Sequence, residues 1–487
     1  MTDTIGASIV LHPKPRTADR SWLRATWMQP AMLMATLSIV FGSLTILINP
    51  PLRGPDEPAH FVRVYAYTQG IIKPPQEREG RKGIELPGEL RADFAFFNAR
   101  RGKIWDDGFT FHQASDEYRA HRAKQTELGG GESGFELFEG SEGYSPVPYA
   151  PHIVMGVVAQ VFGLDFATTL YLMRFAGLAA FTAIAAYAIA MTPHLKWAFV
   201  LIAMLPASLY GRTVIGADAA VNSLALLVAA LSLRAASGIL PDRPLERMLW
   251  MTLCVLSKPP QIAFVLFEPM VHRFRALSGR WRTVALVVLP GIILSPLWMW
   301  FIDAEMAVWR VMADGKYPPE YFDIGWKLRF MIEHPLHFPS VMIHTIVSEA
   351  GTLGMQLIGI LGWLDTELHP SVYVLLGLAL LMTAFERMTV DSATRYRIAL
   401  YTGAVTASYV VLVFLILFLT WTPPVVPEVW GIQGRYFIPV LAPAALFLSA
   451  LVNRQLPPEP LRWTAIAASV LGSTAMLEAI WRVNWVA

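Results

Sequence analysis

Residues 27–48 read WMQPAMLMATLSIVFGSLTILI, and the polar stretch NPPLRGPDEPAH follows at residues 49–60. The apolar stretch carries no charge, and as a helix rising about 1.5 Å per residue it is long enough to cross the hydrocarbon core of a bilayer. The residues ahead of it carry more basic than acidic groups: Lys14, Arg16, Arg20 and Arg24 against Asp3 and Asp19. By the positive-inside rule the chain is therefore expected to begin in the cytoplasm, which places residues 49–60 outside.

The composition of the whole chain is typical of a membrane protein. Hydrophobic residues make up 54% of the 487 residues and charged residues only 16%, which predicts a polytopic membrane protein rather than a soluble enzyme. Cys254 is the single cysteine, so an intrachain disulfide is excluded. The sequence has no glycine-rich phosphate loop and a net charge of only +2, so neither a nucleotide-binding domain nor a nucleic-acid partner is expected.

The spacing of apolar stretches predicts an all-α polytopic fold with about eleven transmembrane helices and a large, partly helical first outer loop. The segments are a cytoplasmic tail at 1–26, a first transmembrane helix at 27–48, an outer loop with juxtamembrane helices at 49–167, a transmembrane core at 168–301, an outer or re-entrant segment at 302–370, and C-terminal transmembrane helices at 371–487. Spans after the first are expected at about 168–191, 197–210, 219–233, 284–301, 371–385, 398–420, 436–451 and 463–480, with a hairpin of two short helices at 248–271. Because proline breaks a helix, Lys258-Pro259-Pro260 is the predicted tip of that hairpin.

This topology gathers polar side chains on the outer face. An ionisable group beside apolar surroundings is costly unless it is paired or hydrated, so each such group is a candidate functional residue. The alternative is that individual members are interfacial residues or internal salt bridges. The candidates are Asp56, Glu57, His60, Tyr144, His152, Arg174, Arg212, Asp218, Lys258, Glu349, Asp365, Gln433, Arg435 and Tyr436.

Asp56, Glu57 and His60 are the candidate catalytic residues. A carboxylate at the membrane surface can take the proton of an acceptor hydroxyl while that oxygen attacks a sugar, and one carboxylate suffices as base when the leaving group is already a phosphate. The competing interpretation is structural, with Asp56 as the N-cap of a helix that begins at Glu57. His60 lies four residues after Asp56 on the same helical face, so it either pairs with that carboxylate or is a satisfied buried histidine.

The other candidates are assigned to substrate or donor binding. Arg212 and Asp218 bracket a short outer turn, where they would position sugar hydroxyls, a phosphate or a divalent ion, or else form a salt bridge with each other. No Asp-x-Asp pair strengthens the idea of a metal at Asp218. No cofactor is therefore assigned, and a divalent metal is left open.

A late outer segment reads Gly431-Ile432-Gln433-Gly434-Arg435-Tyr436. Its glycines permit close backbone approach, and Arg435 is suited to bidentate contact with a phosphate. Lys258 would bring a point charge to the same lipid phosphate. The alternatives are anchoring of Arg435 and Tyr436 among lipid headgroups and snorkelling of Lys258.

Four motifs together resemble a bacterial family of polytopic membrane proteins catalogued as a domain of unknown function. They are Pro55-Asp56-Glu57-Pro58-Ala59-His60-Phe61, Leu256-Ser257-Lys258-Pro259-Pro260, Leu361-Gly362-Trp363-Leu364-Asp365 and Gln433-Gly434-Arg435-Tyr436-Phe437-Ile438-Pro439. They extend from about residue 50 to 440, and the first and last together are the most specific to that family.

That family is in turn similar to the GT-C class of membrane glycosyltransferases. The resemblance implies a GT-C-like core at 168–301 and inverting transfer of a sugar from a polyprenyl-phosphate donor to a cell-envelope glycan or lipid, on the periplasmic face of a bacterial inner membrane. It matches Asp56 to the catalytic aspartate of the class and residues 212–218 to its second acidic loop. The chain lacks the paired aspartates and the tryptophan-rich acceptor motif of oligosaccharyltransferases, so peptide glycosylation and metal dependence are not carried over.

Two other classes of protein would use the same residues differently. A transporter or flippase of lipid-linked saccharides would bind with these groups rather than catalyse, but it predicts polar residues along both halves of a pathway and often internal repeats, and the sequence shows neither. A non-enzymatic envelope scaffold needs no carboxylate beside a cationic phosphate site. The scaffold interpretation is therefore disfavoured if Asp56 and Arg435 meet in space.

Overall fold

The computed structural model describes residues 21–74, 76–78, 81–100, 110–127, 131–239, 241–272, 280–303, 315–452 and 456–486. Most of the predicted cytoplasmic tail at 1–26 lies outside these ranges. The helices and strands below are those of the described residues.

In chain order the α-helices are α1 (Ser21–Ile48), α2 (Glu57–Thr68), α3 (Gly88–Arg100), α4 (Phe111–Glu127), α5 (Ala150–Val161), α6 (Phe166–Met191), α7 (Lys196–Met204), α8 (Pro206–Arg212), α9 (Asp218–Ser237), α10 (Pro244–Ser257), α11 (Phe267–Val271), α12 (Trp281–Ile302), α13 (Ile324–Glu333), α14 (His337–Ser348), α15 (Ala350–Ile358), α16 (Pro370–Thr383), α17 (Ser392–Thr420), α18 (Leu441–Leu451) and α19 (Pro458–Trp485). The 3-10 helices are Ser141–Gly143, Val147–Tyr149, Pro259–Leu266, Pro319–Phe322 and Gly434–Val440. The strands are β1 (Gln76–Arg78), β2 (Arg81–Leu86) and β3 (Gly134–Leu137).

Seven helices in the described ranges are long and apolar enough to cross a membrane, or eight if a bent pair counts as one span. They are Gln29–Ile48, Phe166–Met191, Asp218–Ser237, Trp281–Ile302, Ser392–Thr420, Gly434–Leu451 and Pro458–Trp485. An all-α polytopic membrane architecture is therefore confirmed, but the predicted number of eleven spans is not. The difference comes from predicted spans that the structure forms as shorter or broken helices.

Two of these breaks have the same physical cause. Leu205 separates α7 from α8, and Lys258 separates α10 from the 3-10 helix Pro259–Leu266; each precedes a proline and has an extended ψ of about 140°. Proline disfavours the helical conformation in the residue before it, so the chain turns there. The predicted hairpin with its tip at Lys258 is formed as expected.

The bent pair consists of α14 and α15, whose axes differ by 69° at Glu349. Such a pair is either a broken span or a re-entrant loop. The prediction of an outer or re-entrant segment at 302–370 is consistent with that bend and stays a prediction.

The outer loop folds around an apolar core of its own. Helix α2 packs on α5, and aromatic side chains such as Phe61, Phe94 and Phe166 bury one another at ring distances of 5.1–6.5 Å. The strands form one antiparallel sheet in the order β1-β2-β3, with Gly83 opposite Gln76 on one side and Leu137 on the other. The segment predicted as a partly helical outer loop therefore also contains a small sheet, which the sequence analysis did not predict.

The membrane helices surround a long apolar core in which α9 is the most buried span. Helix α6 packs on α1 and α9, α10 packs on α12, and α17 packs on α18. The polar starts of α2 and α9, the Lys258 break and the segment Gly434–Val440 come together at one end of this bundle, which we call the Asp56 end.

Candidate functional site

Four charged side chains from four separate elements form a row at the Asp56 end. The guanidinium of Arg435 bridges two carboxylates, with Nη2 at 3.2 Å from Oδ2 of Asp56 and Nη1 at 2.9 Å from Oδ2 of Asp218. The other oxygen of Asp218 lies 3.3 Å from Nζ of Lys258. The charges alternate in sign along the row Asp56, Arg435, Asp218, Lys258, which we call the charge row.

Asp56 enters the charge row through an unusual backbone conformation. Its φ of 53° is left-handed, and its side chain makes no hydrogen bond to the start of α2. The predicted alternative, in which Asp56 caps this helix with its side chain, is therefore wrong. The left-handed conformation is costly for a residue other than glycine and clusters at functional sites, and here it leaves the carboxylate 53% exposed.

Asp218 and Lys258 are held more deeply than Asp56. Asp218 is the first residue of α9, and its side chain is 22% exposed. Lys258 extends from the proline break, 17% exposed, with Nζ 4.3 Å from the ring centre of Tyr436. Because Asp218 pairs with Lys258 and Arg435, the predicted alternative of an Arg212–Asp218 salt bridge is wrong.

Close backbone contact places Arg435 in the row. A Cβ on Gly434 would lie 1.9 Å from the carbonyl oxygen of Leu353, and the Gly434 amide donates to Oε1 of Gln356 at 2.7 Å. The expectation that glycine permits close approach in this segment is confirmed. Gln433 then accepts a hydrogen bond from Nε of Arg435 at 2.6 Å, so the guanidinium is oriented by its own segment.

His60 lies beside the charge row but bonds elsewhere. Its Nδ1 is 2.6 Å from the hydroxyl of Tyr149, and its ring packs edge-on against Tyr144 at 5.5 Å. Burial lowers the pKa of His60 to about 4, and the nearby carboxylates of Asp56 and Asp218 oppose that shift only in part. The imidazole is thus neutral at physiological pH. Of the two predicted alternatives, the structure forms the buried histidine that is satisfied by another group, here Tyr149, and not the pair with Asp56.

Glu57, the neighbour of Asp56, has a different environment. Its side chain is fully buried and accepts two hydrogen bonds from Arg174, at 2.8 and 2.6 Å, and one each from the amides of Gly54 and Ile215, both at 2.9 Å. Arg174 also donates to the carbonyls of Asn49 and Pro50. We call this group the Glu57 clamp, because it ties residues 49–57 to α6 and to the turn before α9. Neither Glu57 nor Arg174 reaches the charge row.

Four further candidates also lie away from the charge row. His152 is buried beside Phe181 and Gly177. Arg212 donates to the carbonyl of Ala203 at 2.7 Å, and Glu349 lies at the bend between α14 and α15. Asp365 pairs with Arg53 at 2.7 Å and accepts from the Trp363 amide within its own turn.

An open cleft of about 490 Å³, counting the space at its mouth, adjoins the charge row. Its polar lining comes from His60, Tyr210, Asp218, Asn222 and Arg435. In the described part of the chain no three side chains of metal-ligating type gather into a group. The divalent ion left open by the sequence has only Asp56 and Asp218 as candidate ligands, and Arg435 lies between them.

Arg53, Tyr149 and Asn222 belong to this end but were not among the predicted site residues. Arg53 fixes Asp365, Tyr149 fixes His60, and Asn222 lines the cleft one turn after Asp218. Arg53 lies in the polar stretch at residues 49–60, but the sequence gives no signal for its partner or for the partner of Tyr149. Asn222 carried a signal, because an amide four residues after Asp218 shares its helix face.

The comparisons with known proteins place the chain in a family without assigning its chemistry. No curated protein and no solved structure matches it. Residues 39–444 match the family described as "Predicted membrane protein (DUF2142)", a range that begins inside α1, ends inside α18 and includes the whole charge row. The chain therefore belongs to the DUF2142 family of membrane proteins.

Proposed function

We propose that this protein is a GT-C-like glycosyltransferase that moves a sugar from a polyprenyl-phosphate donor to a cell-envelope glycan or lipid. In this proposal the Asp56 end faces the periplasm of a bacterial inner membrane, as the basic residues ahead of α1 favour. The chain of the donor lies among membrane lipids, with its phosphate and sugar in the cleft.

The observation that carries the proposal is the meeting of Asp56 and Arg435, which are 379 positions apart in sequence. A half-exposed carboxylate, a guanidinium and a lysine in one row that adjoins a cleft are the groups that acceptor activation and phosphate binding require. A non-enzymatic scaffold offers no reason for that combination.

Asp56 is the proposed general base. It is the most exposed carboxylate of the charge row, and Arg435 is its single partner there. The acceptor oxygen attacks the anomeric carbon, its proton passes to Asp56, and the bond from the anomeric carbon to the phosphate oxygen breaks with its electron pair remaining on the polyprenyl phosphate. This single displacement inverts the configuration at the anomeric carbon.

Arg435 and Lys258 are the proposed phosphate ligands. Both are held by carboxylates here, so a phosphate must replace at least one carboxylate contact on Arg435. The planar fork of a guanidinium binds phosphate through two nitrogens, whereas Asp56 contacts Arg435 through one nitrogen here, so the phosphate can take the place of that contact. It also releases Asp56 to accept a proton, so donor binding and base activation are coupled.

The test is release of free polyprenyl phosphate by the purified protein in lipid, with a panel of polyprenyl-phosphate sugars and envelope glycans or lipids as acceptors. Asp56→Asn should abolish release. Asp116→Asn removes a carboxylate from an exposed pair with Arg119 in the same outer loop and should keep the wild-type rate. Equal rates in wild type and Asp56→Asn would remove Asp56 as base.

The same experiment distinguishes a glycosyltransferase from a transporter or flippase. A transporter or flippase would bind these donors tightly without releasing polyprenyl phosphate, and Asp56→Asn would alter movement of the intact donor across the bilayer. Binding without release over the whole panel would therefore overturn the transferase proposal.

A further inference from the structure

A second polar site lies behind the cleft, centred on a cation without a carboxylate partner. Arg212 is 3% exposed, and its Nη2 donates to the carbonyl of Ala203. Its Nε is buried without a hydrogen-bond partner, and within the described residues no carboxylate forms an ion pair with it. A buried guanidinium left with one neutral acceptor is unfavourable unless something else supplies negative charge.

The space next to Arg212 is lined by further unsatisfied donors. Arg212, Ser208, Asn222 and Ser223 line one chamber of about 290 Å³, counting its open side. The hydroxyls of Ser208 and Ser223 are also buried without a partner. Native proteins rarely leave such groups unpaired, so three of them around one chamber indicate a bound species that completes their hydrogen bonds.

The chamber adjoins the cleft of the charge row. Asn222 and Ile438 line both spaces. Asn222 lies one turn after Asp218 on α9, and Ile438 lies one turn after Arg435. A group bound in the cleft therefore lies next to the chamber that contains Arg212.

We propose that this chamber binds a compact, singly charged anion. A water molecule would satisfy the hydroxyls but leave the guanidinium charge uncompensated, and a cation is excluded by that charge. Halides and carboxylates carry the required single negative charge. The anion comes either free from solution or as the carboxylate of an acidic sugar in the cleft, and only this second source rests on the proposed glycosyltransferase function.

Thermal unfolding of the full-length protein in lipid nanodiscs tests anion binding without any donor. At constant ionic strength, chloride, bromide or acetate should raise the unfolding temperature by several degrees over a bulky sulfonate, saturating with concentration. Arg212→Met should abolish the difference between anions. Arg119→Met, at an exposed arginine, should retain it.

Ser208→Ala and Ser223→Ala keep the test valid if Arg212→Met fails to fold. Each removes one proposed donor and should raise the half-saturating anion concentration several-fold. Donor affinity then separates the sources: loss of affinity for a uronic-acid donor but not a neutral-sugar donor in Ser223→Ala identifies the carried carboxylate.

If anions stabilise the wild type but Ser223→Ala leaves the affinity for the uronic-acid donor unchanged, the chamber binds a free anion from solution. The proposal is overturned if neither the anion series nor the uronic-acid donor distinguishes wild type from the chamber variants. A failed donor panel with a positive anion series would reject only the proposed enzymatic function.

Discussion

Asp56 and Glu57 are adjacent in sequence, yet their carboxylates have opposite environments. Asp56 is half exposed and shares one guanidinium with Asp218, in a row of charges that adjoins a cleft. Glu57 is fully buried and receives hydrogen bonds from Arg174 and two backbone amides. The carboxylate of Asp56 can therefore still accept a hydrogen bond or a proton from a substrate, whereas the carboxylate of Glu57 is fully used in holding the fold. Exposure and the number of hydrogen-bond partners, rather than residue type, therefore distinguish a candidate general base from a carboxylate that stabilises the fold.

The largest expected effect is a loss of folding stability when the Glu57 clamp is broken. Glu57→Gln leaves the buried Arg174 guanidinium without its charge partner, which should cost about 3–5 kcal/mol in the free energy of unfolding. Glu478→Gln, in an exposed helical pair with Arg482, should change it by no more than about 0.5 kcal/mol. Reversible unfolding in detergent measures both. Equal stability of Glu57→Gln and wild type would contradict the structural role of Glu57.

A smaller effect is expected on donor binding at the charge row. Arg435→Gln removes a charge-assisted contact worth about 1.5–3 kcal/mol, so the Kd for a polyprenyl-phosphate sugar should rise about 10- to 100-fold. Arg482→Gln, at an exposed arginine, is the matched control and should leave Kd unchanged. An unaltered Kd in Arg435→Gln would remove this residue from the phosphate site.

Gly434→Ala probes how the charge row is held. The added methyl group would overlap the Leu353 carbonyl, and such overpacking costs about 1–3 kcal/mol. Gly351→Ala, a helical position with open space around it, should be neutral or slightly stabilising. Unfolding midpoints compare the two variants, and a neutral Gly434→Ala would show that the backbone approach is not close.

The effect that is smallest near neutral pH is the pH dependence from His60, because it develops only below pH 6.5. Burial lowers its pKa from 6.5 to about 4, so protonation favours the unfolded chain. The stability that neutral His60 contributes is present above pH 6.5 and is lost as the pH falls towards 4. His60→Gln should flatten that part of the stability profile, while exposed His112→Gln should not. An unchanged profile in His60→Gln would contradict burial of a neutral imidazole.

The sequence predicted the membrane architecture, the hairpin break and several members of the charge row because each depends on a local signal. Apolar length marks spans, and proline after Lys258 marks the break. It did not separate Asp56 from Glu57, since their environments depend on Arg174 and Arg435, which are distant in sequence. The outer sheet was missed because its strands are short and polar.

The predicted number of spans was not confirmed for a related reason. The predicted span at 197–210 carries no charge, but Pro206 divides it into two short helices. Hydropathy reports only how apolar a stretch is. The direction in which the chain continues after a helix break is set by packing against distant residues. The same limit applies to Asp365. The sequence predicted a substrate-binding role for it, but its carboxylate pairs with Arg53 and does not line the cleft.

Release of free polyprenyl phosphate in a single turnover, normalised to folded protein, tests most directly whether Asp56 rather than Glu57 carries the chemistry. We predict that Asp56→Asn folds with a nearly unchanged unfolding midpoint and loses about 10²–10⁴-fold in rate, the usual contribution of a general base. Glu57→Gln should unfold more easily but release product at a near wild-type rate per folded molecule. A wild-type rate in Asp56→Asn, or a selective loss in folded Glu57→Gln, would contradict this assignment.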